Sequence, residues 1–335
     1  MLRYCGPFLF LAGIPALYYA AGPCWPLATI VALAVILIAL ETRRPAAPVR
    51  SPALNGSRLL PLLYVPLQLG VILWAVGAAA NLNLLAFLAL GLSVGIIAGV
   101  FGMLCAHELT HSNRPFDRAV AFAMLTAMSY PQFRTAHIFG HHRWAGTERD
   151  VATARLGESF YAFLVRTLPG QWKESWMFER RRCSARALNW LHNRCLQDIT
   201  AILLVYAGIL GRFGARGGLF FFLQSTVAVV VLELFNYIAH YGLVRAVRAD
   251  GRLQPLSDAC SWNTSNEFAN LLLFNMGRHS DHHRRPAASY QLLMRVCEAP
   301  ELPLGYAGSI LTAFVPPLWR SVMDPRVCRL RAQQQ

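Results

Sequence analysis

The 335-residue chain is short of charge: 14% of its residues are charged and 55% are hydrophobic. That leaves too little polar surface for an ordinary soluble globule. Lysine is nearly missing, with Lys173 alone among 31 basic residues, and only 17 acids oppose them, so the formal charge of +14 is an arginine charge. Part of that bias reflects base composition, and the positions of the arginines carry more information than their number. No Cys-x-x-Cys pair occurs among Cys5, Cys24, Cys105, Cys183, Cys195, Cys260, Cys297 and Cys328. This excludes a built-in iron–sulfur or rubredoxin-type centre and predicts free thiols. There is no internal repeat and no low-complexity tract.

What the chain does have is apolar runs. Six candidate spans, about 7–21, 24–41, 59–80, 83–106, 197–212 and 218–239, predict an all-α polytopic membrane protein with a single domain over 1–335. Arg3 before the first run resembles a secretory signal, but a second run follows at once, which favours an uncleaved hairpin. Arg43, Arg44, Arg50 and Arg58 follow the second span in an Arg/Pro/Ala/Ser-rich loop, 42–58, and Arg180, Arg181, Arg182 and Arg186 lie between spans four and five. The positive-inside rule puts both segments in the cytoplasm, although Arg212 and Arg216 between the last two spans run against it. With six spans, His107 and His240 then end spans on the same side, and segments 107–195 and 241–335 form a cytoplasmic, histidine-rich helical cap. The last residues, Arg329 to Gln335, are expected to fray.

Nine of the ten histidines fall into four groups: His107/His111, His137/His141/His142, His240, and His279/His282/His283. His192 belongs to none. Spacings of H-x3-H, H-x3-H-H and H-x2-H-H are improbable for unrelated core or surface histidines, and nine imidazoles fill most of the coordination sphere of two ions. His107 and His111 stand one helical turn apart and share a face. The adjacent pair His141/His142, with His137 one turn back, can feed two ions from one segment.

His107-Glu-Leu-Thr-His111 also matches the H-E-x-x-H zinc hydrolase signature, with Glu108 as general base. That reading leaves six clustered histidines without a role. A non-enzymatic metal carrier would spread its ligands along a transmembrane path, whereas these cluster at one end. Imidazole suits iron and zinc alike, but zinc rarely needs so many nitrogens. The soluble di-iron carboxylate pattern needs two Glu-x-x-His motifs, and only Glu108-Leu-Thr-His111 has that form. A histidine-dominated di-iron centre fits better.

From about residue 100 onward the chain resembles the integral-membrane alkane hydroxylases. These are the AlkB-type non-haem di-iron monooxygenases, which share architecture with membrane acyl desaturases and include aryl-methyl hydroxylases. The resemblance rests on the segments His107–His111, Gly140-His-His142, 150–159, Asn236-Tyr-Ile-Ala-His-Tyr-Gly-Leu243, Ser261-Trp-Asn263 and Arg278-His-Ser-Asp-His-His283. Gly305-Tyr-Ala-Gly and the run 319–326 look similar too. The resemblance implies that all nine histidines, His107, His111, His137, His141, His142, His240, His279, His282 and His283, bind two irons. It also implies that dioxygen and two electrons from a separate rubredoxin or ferredoxin, with its reductase, serve to hydroxylate an unactivated C–H bond. The leading substrate is the terminal methyl of an alkane or alkyl chain reaching the site from the lipid; aryl-methyl oxidation and acyl-chain desaturation come next. Ala136 and Ala239 stand where the family pattern has Glu, and loss of such a carboxylate costs roughly 10–100-fold in metal affinity or activity. Glu108, Asp150, Glu158 and Asp281 are the candidate supports for the ligands, and Trp74 is a candidate limit on substrate length. The location implied is the bacterial inner membrane with the site facing the cytoplasm. Arginines on that face suit an acidic partner, and no nucleic acid is expected.

Overall fold

The computed structural model describes residues 2–41, 57–245, 253–254 and 258–333, which fall into two compact units. The first comprises Met1–Ile36, Ser57–Arg134 and Ser175–Leu232, and the second Leu37–Gly56, Thr135–Glu174 and Glu233–Gln335. Arg43, Arg44 and Arg50 of the expected loop, residues 246–252 and 255–257 of the expected cap, and Gln334 and Gln335 lie outside the described residues.

Among the described residues the chain is helical without a strand; one isolated bridge joins Asn263 and Glu301. Helices α1 (Gly6–Ala21) and α2 (Leu27–Glu41) are apolar on every face, but at 16 and 15 residues they are shorter than the ~20 residues a full span needs. The expected second span begins late because Cys24–Pro26 forms a turn, with Leu27 N–H donating to the Cys24 carbonyl at 3.3 Å. Among the described residues three helices are long and apolar enough to cross a membrane: α3 (Leu59–Ala78, prolonged to Asn81), α4 (Leu84–Thr110) and a third, Arg194–His240. The six expected spans thus fall on these three long helices, the third of which holds two of them, and on the two shorter ones, α1 and α2.

The third helix is not straight. Its 47 residues would run about 70 Å if continuous. Gly214, at φ 65° and ψ −172°, breaks it, in a region that only glycine adopts readily. Tyr206 and Phe221, fifteen residues apart, have ring centroids at 5.1 Å, so the two arms fold back on each other where the sequence reading put a loop at 213–217. Arg216 at this bend donates to the carbonyls of Ala79, at 3.0 Å, and Leu82. It thereby satisfies the carbonyls at the end of α3, a structural task for the arginine that runs against the charge rule in the sequence.

Close packing in the first unit rests on a glycine every fourth residue. Asn83 caps α4 by accepting from Ala86 N–H at 2.9 Å, and Gly91, Gly95 and Gly99 then line one face. A Cβ on Gly95 would stand 2.7 Å from the Gln224 carbonyl oxygen and one on Gly99 2.7 Å from that of Ala228. The backbones touch because side chains are missing, as in other membrane helix pairs. After Ser112 the chain turns into α5 (Pro115–Ala127), whose buried Asp117 is held by Arg58 and by the Ser112 hydroxyl at 2.6 Å.

The second unit is built from short pieces. It holds the π-helical segment Ala136–His141 and most of α6 (Phe160–Ala185). The 194–240 helix (α7) ends in it, and α8 (Glu267–Leu272), α9 (His279–Arg284), α10 (Gly305–Ala313) and α11 (Pro316–Ala332) follow. The carboxylate of Glu41 caps α10 by accepting from the backbone N–H of Tyr306 and Ala307 at 2.7 and 2.9 Å. Fraying of the tail from Arg329 is corrected: α11 runs to Ala332, and Arg331 donates twice to the Gly242 carbonyl, at 2.9 and 2.7 Å. All eight cysteines are free.

Candidate metal centre

Seven of the nine clustered histidines lie in the second unit, in two groups. His141, His240, His279 and His283 offer ligand atoms within 4.8 Å of one another. The Nε2 atoms of His240, His279 and His283 form a triangle with sides of 3.1 and 3.2 Å. His137, His142 and His282 form the second group, with Nε2 of His142 at 2.9 Å from that of His137 and 3.2 Å from that of His282. The rings of His142 and His283, 4.7 Å apart, put the groups side by side.

The division of one histidine run between two groups follows from its backbone. In an α-helix His137 would share a face with His141. Here Ala136–His141 is π-helical, with five residues per hydrogen-bonded turn, so His137 meets His142 and His141 swings to the other group. Such π segments often mark functional sites. In the first unit His107 and His111, at the end of α4, have ring centroids 4.9 Å apart.

The hydrogen bonds behind the first group fix which nitrogen faces inward. Asp150 accepts from His141 Nδ1 at 2.8 Å and is itself held by Ala152 N–H at 3.0 Å and the Thr153 hydroxyl at 2.7 Å. His240 Nδ1 donates to the Cys260 carbonyl at 2.8 Å. With Nδ1 engaged in this way, His141 and His240 each turn Nε2 to the centre, the nitrogen that a neutral ring leaves as an acceptor. Burial, then the neighbouring imidazoles, holds His283 well below the usual histidine range. Lone pairs repel unless a cation sits among them. Nitrogens about 2 Å from one ion lie roughly 3 Å from each other, which is the spacing found. The donor set therefore fits a transition metal.

Of the expected supports, Asp150 touches a clustered histidine directly. Burial raises its carboxyl, but the His141 interaction outweighs that and holds it below the usual range. Asp281 is turned to Arg285 and to the Met294 N–H, at 2.7 Å, and so braces the loop after α9. Glu158 pairs with Arg166 at 2.8 Å and caps the Arg155 N–H at 2.9 Å, so its recorded bonds are structural. Glu108 lies on α4 between His107 and His111. Trp74 donates to the Tyr19 hydroxyl at 2.9 Å and packs edge-on against Tyr18. Gln68 lies level with Gly102, which puts Trp74 about 17 Å along the helix axis from His107.

One buried carboxyl escaped the sequence reading. Glu174 on α6 lies against the π segment, where a Cβ on Gly140 would stand 2.6 Å from its Oε2. Burial first, then the charge of Asp150, pushes it up to about 7, against the opposing effect of His141 and Arg149. Its position more than thirty residues from the nearest clustered histidine, His142, gave no local spacing to notice. Gly140 was the signal, since a glycine between histidines implies close approach by something else.

Comparison with known proteins matches the fatty acid desaturase family over residues 81–308. Alkane 1-monooxygenase 1 of Pseudomonas aeruginosa is 37% identical over 87% of this chain and 79% of its own length. Alkane 1-monooxygenase 2 of the same species is 35% identical over 92% and 85%. The hydroxylase component of the xylene/toluene monooxygenase of Pseudomonas putida is 29% identical over 68% and 61%.

Proposed function

The chain belongs to the alkane 1-monooxygenase family of fatty acid desaturase-like membrane proteins, and from that membership and the imidazole geometry we propose hydroxylation of a terminal methyl at a histidine-held iron pair. It is an oxidoreductase of the monooxygenase kind. The observation that carries the metal reading is the convergence of His141, His240, His279 and His283, with Nε2 of His141 and His240 turned inward by the bonds behind them. These four would hold one iron. His137, His142 and His282 would hold the other, and that His107 and His111 also bind iron is what membership of the family implies.

Bound there, two irons supply the reductive activation of dioxygen, and the balance is alkane, dioxygen, two electrons and two protons to alcohol and water. The protein's part is to orient and to exclude water. Asp150 fixes the tautomer and angle of His141, and the Cys260 carbonyl does the same for His240. Electrons come from an external rubredoxin or ferredoxin with its reductase, since no cysteine pair is present to hold such a centre. The substrate enters from the lipid as a medium or long alkane or alkyl chain, with Trp74 limiting its length. The site faces the cytoplasm at the inner membrane.

The test is metal content of the detergent-purified protein, followed by a product screen over alkanes, alkylbenzenes and fatty acyl chains. Two irons per chain and a terminal alcohol are expected. Benzylic alcohol alone would move the substrate to aryl-methyl groups, and a new double bond would make the enzyme a desaturase. One zinc and no iron would favour a hydrolase at His107, Glu108 and His111.

A further inference from the structure

We propose that the exposed end of α6 and the turn after it bind the headgroup of an anionic phospholipid. Arg180 and Arg181 are exposed and have no ion pair among the described residues. With Met177, Ser184 and Ala185 they line a cleft of about 530 Å³. The nearby acid is occupied elsewhere: Glu179, 1% exposed, accepts from Arg182 at 2.7 and 3.0 Å and from the Arg194 backbone N–H at 2.8 Å. The outward surface is left positive.

The bond from Arg194 to Glu179 also sets the depth of the patch. Arg194 opens α7, whose first arm exposes Leu203 and Leu204 at 63% and 67%, as a lipid-facing span does. The tether holds the end of α6 at the level of the first turn of that span, which is the membrane–water boundary. Trp176, Met177, Trp190 and Leu191 are exposed by 40–69% around the arginines. Tryptophan and aliphatic side chains beside arginine are the composition of an interface belt. Guanidinium groups pair with phosphate oxygens in a fork, and the apolar rim suits the start of acyl chains. An acidic redox protein would match the charge and leave the rim exposed, so lipid fits both halves of the surface.

The experiment compares the full chain, Arg180→Gln/Arg181→Gln, and the control Arg329→Gln, which removes an exposed arginine on α11. Each is assembled into phosphatidylcholine nanodiscs with and without phosphatidylglycerol, and lipid retained after release is counted by native mass spectrometry. Helical content by circular dichroism verifies that all three fold. Phosphatidylglycerol should be retained by the wild type and the control and weakened in the double variant by about 30-fold, roughly fivefold per arginine. Equal retention by all three proteins, or no preference for phosphatidylglycerol over phosphatidylcholine, overturns the proposal. So does a double variant that keeps its lipid but loses affinity for an acidic electron-donor protein, which would make the patch a protein-docking site. None of these readouts depends on catalysis, so the iron chemistry can fail without affecting the result.

Discussion

The two units solve the same problem, holding helical segments together, in opposite ways. In the first, α4 and the second arm of α7 approach because Gly91, Gly95 and Gly99 have nothing to keep them apart. In the second, the segments are joined by what their side chains carry: imidazoles facing one another, Asp150 behind His141, and the Cys260 carbonyl behind His240. The apolar bundle should therefore respond to volume and be indifferent to metal. The histidine region should respond to metal, charge and pH.

Replacing His283 with Ala removes one corner of the Nε2 triangle and should have the largest effect. Iron per purified chain should fall by about half and product formation to background, with helical content unchanged. Retention of both irons would separate the triangle from metal binding. Asp150→Asn keeps the shape but weakens the hold on His141, and activity or iron affinity should drop by roughly 10–100-fold. An iron titration of the stripped protein measures it, and wild-type affinity and turnover would leave Asp150 a loop brace only.

Gly99→Ala sharpens the other side of the comparison. The added methyl meets backbone at 2.7 Å, and overpacking of this kind costs about 1–3 kcal/mol. Detergent unfolding should shift while iron per folded chain stays constant, and a change in iron without a loss of stability would break the contrast.

The effect of Glu174→Gln is confined to one pH window. A carboxyl raised to about 7 in the folded protein, from an ordinary value of 4.5, keeps a proton that the unfolded chain has lost across that window. Wild-type stability therefore falls as pH rises from about 4.5 to 7, and the variant should flatten this by about 1 kcal/mol per pH unit. Parallel pH profiles would show that Glu174 ionises normally.

Much of the histidine region was legible in the sequence because ligand groups must be close along the chain as well as in space. His279, His282 and His283 sit on one six-residue helix, and their spacing is already the spacing of a site. The partition of His137, His141 and His142 was not legible, because an α period pairs His137 with His141 and the π segment pairs it with His142. Nor were Glu174 and the Glu41 cap of α10, which meet their partners across long stretches of chain. The helical class followed from apolar runs, whereas helix lengths did not: α1 and α2 are apolar throughout but have only 16 and 15 residues.

Gly214 has a consequence for how the protein is made. Between Arg194 and His240 no proline and no extended loop separates the two apolar arms, and the reversal depends on one residue in a backbone region closed to L side chains. As the chain is made, its reversal between the arms therefore hangs on that one residue, with Arg212 and Arg216 beside the bend. A glycine that carries no chemistry thus sets the direction in which the second arm, with His240 at its end, runs.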